Sequence, residues 1–380
     1  MLVCALAFCY GTVTKSRHPL PPTRTDQQIA LKDIGLALST TEVSVRADQF
    51  DPMGGRMRSA VLVILSVCVA ASLIWPFFLY PHLSLVELGL LNGAYLGLSF
   101  LAGGIVIACW RVPAIFRATT DPAELRTRWM MGAVLATGVT LPLFQVFKQI
   151  VLPARGFPLD VHIVAAEHWI FGGRDAWEVT HALFGGLWPT LVLDTAYAVW
   201  LPMMFLFPMV VSAAIHDTEA RGRLIGTWVA SWVIIGSIGA WLLGSAGPCY
   251  YNDLVGPNAG FLKLHVALQG LDAQAQAVGL SIRALYFQHM LEATQAGSNL
   301  DFASGISAMP SMHVAMASLF AIAGFRRSTL LGSIFTVYAL MIWIASVHLG
   351  WHYALDGVVG AAMMGVLWGL SKPIARILAR

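Results

Sequence analysis

Eight apolar runs, each close to the length needed to cross a bilayer, constrain this chain more than any other feature. They fall at 60–80, 86–109, 129–147, 191–215, 224–243, 309–325, 329–347 and 352–371. A spanning helix needs about 20 mainly apolar residues. Only 11% of the 380 residues are charged, whereas soluble domains carry about 25%. Such a chain cannot cover itself with a water-compatible surface. The expected fold is an all-α, polytopic transmembrane helical bundle of about eight spans. The formal net charge of +3 is too small, and too scattered, for nucleic-acid binding. Five cysteines contain neither a Cys-x-x-Cys pair nor zinc spacing, so no disulfide framework or structural zinc is expected.

The runs organise the rest. Residues 1–55 read as a poorly ordered N-terminal tail, because the apolar start lacks a basic flank and a small-residue cleavage pattern. Residues 56–128 hold two extra spans, 129–371 the main membrane domain, and 372–380 a basic tail. Two long connections, 148–190 and 244–308, mix aromatic and polar residues and read as interfacial helices. With eight alternating helices, the basic residues of the short connections all fall on one side. These are Arg56, Arg58, Arg111, Arg117, Arg126, Arg128, Arg221, Arg223, Arg326, Arg327 and the C-terminal Lys372, Arg376 and Arg380. That side is expected to be cytoplasmic. Three polar strings then meet at the opposite face: Lys148 to Arg155, Pro310 to His313, and His348 to Asp356.

Ionisable groups at membrane depth are costly and mark function by default. His352 and Asp356 are spaced i, i+4, one helical turn apart on one face. A carboxylate so placed holds one ring N–H and makes the other ring nitrogen a better nucleophile. Pro310 and Ser311 start a helix that carries His313, and the free N–H groups of such a turn can bind an anion. Lys148 and Arg155 add fixed positive charge. Together these residue types suit phosphoryl transfer without a metal or other cofactor.

The same residues resemble the type 2 phosphatidic acid phosphatase superfamily. Lys148-x6-Arg155, Pro310-Ser311-x-His313 and His352-x3-Asp356 follow its order, and the resemblance spans about 130–371 and implies a six-helix phosphatase-type core within the bundle. Met312 in place of the usual glycine, with Ser245-Ala246-Gly247-Pro248-Cys249-Tyr250-Tyr251 ahead of it, is similar to the inositol phosphorylceramide synthase branch. The resemblance implies a two-step reaction on a lipid phosphate or phospholipid. His352 attacks phosphorus and Asp356 orients it. His313 protonates the leaving oxygen and then activates water or an alcohol. Lys148, Arg155 and Ser311 hold the phosphate oxygens. Two positions depart from the pattern: Gly156 follows Arg155 where proline is usual, and Ser346 stands where an arginine is usual.

Other readings compete. Arg174, Lys263, Arg283 or His348 could replace the missing cation. His348, His352 and Asp356 form an i, i+4, i+8 series that could ligate a metal in a membrane hydrolase. A histidine-lined transporter or flippase is the non-enzymatic alternative, although matching broken segments are not evident. Tyr250 and Tyr251 read as interface anchors with a possible auxiliary role at the site, and Asp194 as a helix cap. The 13 tryptophans read mainly as an aromatic belt.

Overall fold

A computed structural model describes residues 84–110, 123–215, 217–295, 302 and 304–378. The apolar run at 60–80 and the tail 1–55 lie outside these described residues. Among the described residues the chain is helical and contains no strand. Six helices are long and apolar enough to cross a membrane: Leu85–Cys109, Leu125–Arg155, Leu187–Ala214, Thr218–Leu242, Thr329–His348 and Ala354–Lys372. Each coincides with one of the apolar runs. The run at 309–325 is also helical but short, as Met312–Arg327 has 16 residues. The protein is an integral membrane helical bundle.

Helix α1 (Leu85–Trp110) packs beside α2 (Ala123–Val146). α2 passes without a break through a wide π-turn, Phe147–Val151, into a last turn, Leu152–Arg155. Two short helices, α3 (Asp160–Ile170) and α4 (Ala176–Phe184), occupy the first long connection. α5 (Leu187–Ala214) and α6 (Thr218–Ser231, continued to Leu242) follow. The second long connection forms α7 (Ala259–Ala277) and α8 (Arg283–Gln295). The chain ends with α9 (Met312–Arg327), α10 (Thr329–His348) and α11 (Ala354–Leu378).

Local chemistry sets the boundaries. Ser311, Ser328 and Asp217 cap α9, α10 and α6, their side-chain oxygens accepting N–H groups of Val314, Leu331 and Glu219. Such caps are worth about 1 kcal/mol each. α5 carries Pro202 and Pro208 in its interior. Ser212 donates to Pro208 O at 2.8 Å and to Trp129 O at 3.2 Å, tying this part of α5 to α2.

Apolar packing centres on α9, whose Ala315, Met316, Ala317 and Leu319 are wholly buried against α10, α11 and α5. Large apolar side chains such as Leu101, Val337 and Val366 are exposed on the outside of the bundle, where lipid replaces water. One end gathers basic groups: Arg223 donates to Trp368 O and Ser371 Oγ, and Arg326 lies 3.9 Å from Asp217. The opposite end gathers α3, α4 and the N-terminal turns of α9 and α11.

Candidate active site

The two histidine strings meet at that second end. His352 Nε2 and His313 Nδ1 lie 3.5 Å apart, and the ring centroids are 5.6 Å apart. His352 Nδ1 lies 3.3 Å from Asp356 Oδ2. That carboxylate also accepts the Tyr353 N–H at 2.9 Å. Asp356 is fully buried and His352 nearly so. With the Nδ1 proton held toward Asp356, Nε2 keeps its lone pair and faces His313. Three groups form a chain: the Asp356 carboxylate, the His352 imidazole and the His313 imidazole.

Ser311 joins the site through the backbone. Its N–H donates to Asp356 O at 3.0 Å, while its hydroxyl accepts the Val314 N–H at 3.4 Å. The first turn of α9 is thereby docked on the first turn of α11. Lys148 sits in the π-turn of α2, close enough for its charge to be felt at His313. π-turns insert one residue into a helix and occur often at functional sites. The chain before α9 is seated on this turn: Gln145 Nε2 donates to Ser304 O at 2.7 Å. A Cβ at Gly305 would lie 3.0 Å from the Lys148 carbonyl.

Other expected residues lie apart. Arg155 is exposed, with its guanidinium 5.7 Å from the Trp241 ring centre. It carries no contact to either histidine. His348 does not extend the His352–Asp356 face, because α10 stops at His348 and the chain turns through Leu349 and Gly350. Its ring stacks on His181 at 4.1 Å and its Nε2 lies 2.9 Å from Thr190 Oγ1. The three-residue metal series is therefore not assembled. Among the described residues, no group of three or more His, Cys, Asp or Glu is placed to hold a metal ion.

Tyr250 and Tyr251 are buried inside the protein rather than presented as interface anchors. Tyr250 donates to Gln288 O at 3.2 Å, and Tyr251 packs on Phe261. Their loop has a different use. Cys249 N–H donates to Gly350 O at 2.9 Å, directly behind the His352 turn. Gly247, at φ +91°, lies so close to Trp351 that a Cβ there would sit 2.7 Å from its carbonyl oxygen. Arg174 and Lys263 are exposed, and Arg283 is held by Asp194 at 3.3 Å. Asp194 is a cap, but of another helix: it accepts the Ala284 N–H at 2.8 Å, at the start of α8. Ser346, where a cation is usual, is itself fully buried.

Sequence reading missed the scaffold around the histidines. Tyr197 of α5 stacks on His313 at 4.4 Å, Trp200 packs on it at a tilt at 4.0 Å, and Trp200 Nε1 donates to His313 O at 3.1 Å. Their i, i+3 spacing was visible, but inside an apolar run it looks like ordinary packing. Asp160 and Glu167, both buried on α3, were also missed as a pair. Asp160 accepts the N–H groups of Ala246 and Gly247 and the hydroxyls of Ser245 and Tyr353. Glu167 accepts the Leu355 N–H at 2.9 Å. Burial, with the Asp356 and Asp175 carboxylates adding, raises the Glu167 pKa to about 7.

A helical membrane bundle with a carboxylate-backed histidine pair at one end defines the class. The PAP2 superfamily profile matches residues 161–370, more than half of the chain, and the protein belongs to that superfamily. This is the superfamily of the type 2 phosphatidic acid phosphatases, whose members are generally phosphatase-type enzymes. The matched stretch contains Ser311, His313, His352 and Asp356 and begins after Lys148 and Arg155. Comparison with curated proteins and with solved structures gives no significant match.

Proposed function

We propose that the protein is a phosphotransferase or phosphatase acting on a lipid phosphate or phospholipid head group, through a phosphohistidine. The membrane domain 129–371 is its catalytic unit. The observation that carries this reading is the alignment of Asp356, His352 and His313 through ring nitrogens 3.5 Å apart. His352 Nε2 forms a bond to phosphorus as the bond from phosphorus to the leaving lipid oxygen breaks. His313 gives that oxygen its proton. In the second step His313 takes the proton of an acceptor hydroxyl, whose oxygen bonds phosphorus as the N–P bond breaks. Lys148 and the first turn of α9 at Ser311 stabilise the charge that spreads over the phosphate oxygens. Arg155 serves as a more peripheral phosphate contact.

Within this reading, transfer to an alcohol, as in the inositol phosphorylceramide synthase branch, is favoured over hydrolysis by the buried Ser346 in place of a cation. A site with fewer fixed positive charges suits a phosphodiester, with one negative charge, better than a doubly charged monoester. Given the distribution of basic residues, the site opens at the non-cytoplasmic face. Purified protein incubated with labelled phospholipid, with and without inositol and ceramide, tests both levels. Labelled acceptor is the expected product. Free phosphate alone would retire the transferase reading, and no turnover in any arm would retire the enzyme.

A further inference from the structure

Glu167 lies at the C-terminal end of α3, buried to 4% exposure, and its carboxylate accepts the N–H of Leu355, 188 residues away in the chain. Leu355 is the second residue of α11 and immediately precedes Asp356. Asp160, seven residues and so about two helical turns before Glu167, lies on the same side of α3 and accepts the Tyr353 hydroxyl at 2.8 Å. One face of α3 thus grips Tyr353 and Leu355, two of the three residues between His352 and Asp356. We infer that Glu167 is a positioning residue: it holds the first turn of α11 so that Asp356 stays aimed at His352, and gain of a proton by Glu167 loosens that hold.

An ordinary helix cap accounts poorly for this arrangement. A serine or asparagine at the cap position would satisfy the same N–H groups at about 1 kcal/mol. The chain instead places Tyr353 there and brings in a buried carboxylate from a distant helix, and burying a charge costs several kcal/mol. The charged groups that act on Glu167 are Asp356 from α11 and Asp175 from the start of α4. Asp175 is itself paired with His168 of α3 at 2.7 Å. Asp160 is the remaining buried acid on the same helix face. Surrounded by carboxylates, Glu167 changes charge in the neutral range, and only its ionised form makes a charge-assisted bond to the helix N-terminus.

The inference rests on the reaction proposed above, and one experiment separates the two. Detergent-purified full-length protein, E167Q, E167D and H352A are assayed on labelled phospholipid in mixed micelles between about pH 5.5 and 8.5. The ratio of wild-type to E167Q turnover cancels the substrate's own ionisation. It is expected to rise about tenfold from the acid to the alkaline limb, the difference between a charged and a neutral bond. The midpoint should lie near neutrality, in kcat rather than KM. A ratio that stays constant with pH overturns the inference, whatever the absolute rates. Should E167Q fail to fold, E167D decides: a lower rate with a displaced midpoint is expected, and a wild-type rate and midpoint overturn it. An H352A variant as active as wild type would instead overturn the reaction.

Discussion

His313 Nδ1 and His352 Nε2 face each other across 3.5 Å, within reach of a single hydrogen bond between the two rings. Neither ring can be removed without leaving the other's nitrogen unpartnered. Replacing either His313 or His352 with alanine should therefore lower turnover by about 10²–10⁴, the usual contribution of a positioned acid or base. Thermal unfolding in detergent should change far less, and rates within a few-fold of wild type would disprove the assignment.

A covalent intermediate on His352 should be trappable. Acid quenching during turnover of labelled phospholipid should leave acid-labile phosphate on the protein. Peptide mass spectrometry should locate it on the segment containing His352, and the H352A variant should carry none. Label on His313 instead would reverse the two roles.

The two expected phosphate-binding cations should differ. Lys148 is held in the π-turn near His313, whereas Arg155 is exposed over Trp241. Charged hydrogen bonds are worth about 1.5–3 kcal/mol, so K148A should cost at least about tenfold in kcat/KM. R155A should cost only a few-fold. Equal losses would place Arg155 at the phosphate as well.

Gly247 tests the scaffold. Its φ of +91° and its approach to Trp351 O exclude a side chain. G247A should destabilise the protein by about 1–3 kcal/mol, seen as a lower melting temperature in detergent, with activity falling in parallel.

Glu167 also links stability to pH. Its folded-state pKa of about 7 lies above the ordinary 4.5. Burial favours the neutral form, so that part of its contribution to folding is fully present below about pH 4.5 and is lost as pH rises through 7. The Leu355 N–H bond that aims Asp356 instead favours the ionised form. At 1.36 kcal/mol per unit, the change is about 3 kcal/mol. The wild-type melting temperature should fall across that window, and the E167Q variant should show a flatter profile.

Much of this was legible in the chain. Seven of the eight apolar runs fall on helices and the eighth lies outside the described residues, because length and apolarity alone decide what crosses a bilayer. The His352–Asp356 pair was legible because its partners are one turn apart. What escaped detection was long-range. Glu167 and Leu355 are separated by 188 residues, and no periodicity links them. His348 looked like a continuation of the same face because spacing assumes an unbroken helix, and the chain turns at Leu349. Tyr250 and Tyr251 looked like interface anchors because composition cannot tell a buried aromatic loop from one at the bilayer surface.

The fit of Gly305 against the Lys148 carbonyl, beside the Gln145–Ser304 hydrogen bond, seats the leader of α9 directly on the widened turn of α2. That leader runs straight into the helix that carries His313. Even one extra methyl group at position 305 would act as a wedge there, driving the ammonium and the imidazole apart while leaving every reactive side chain intact.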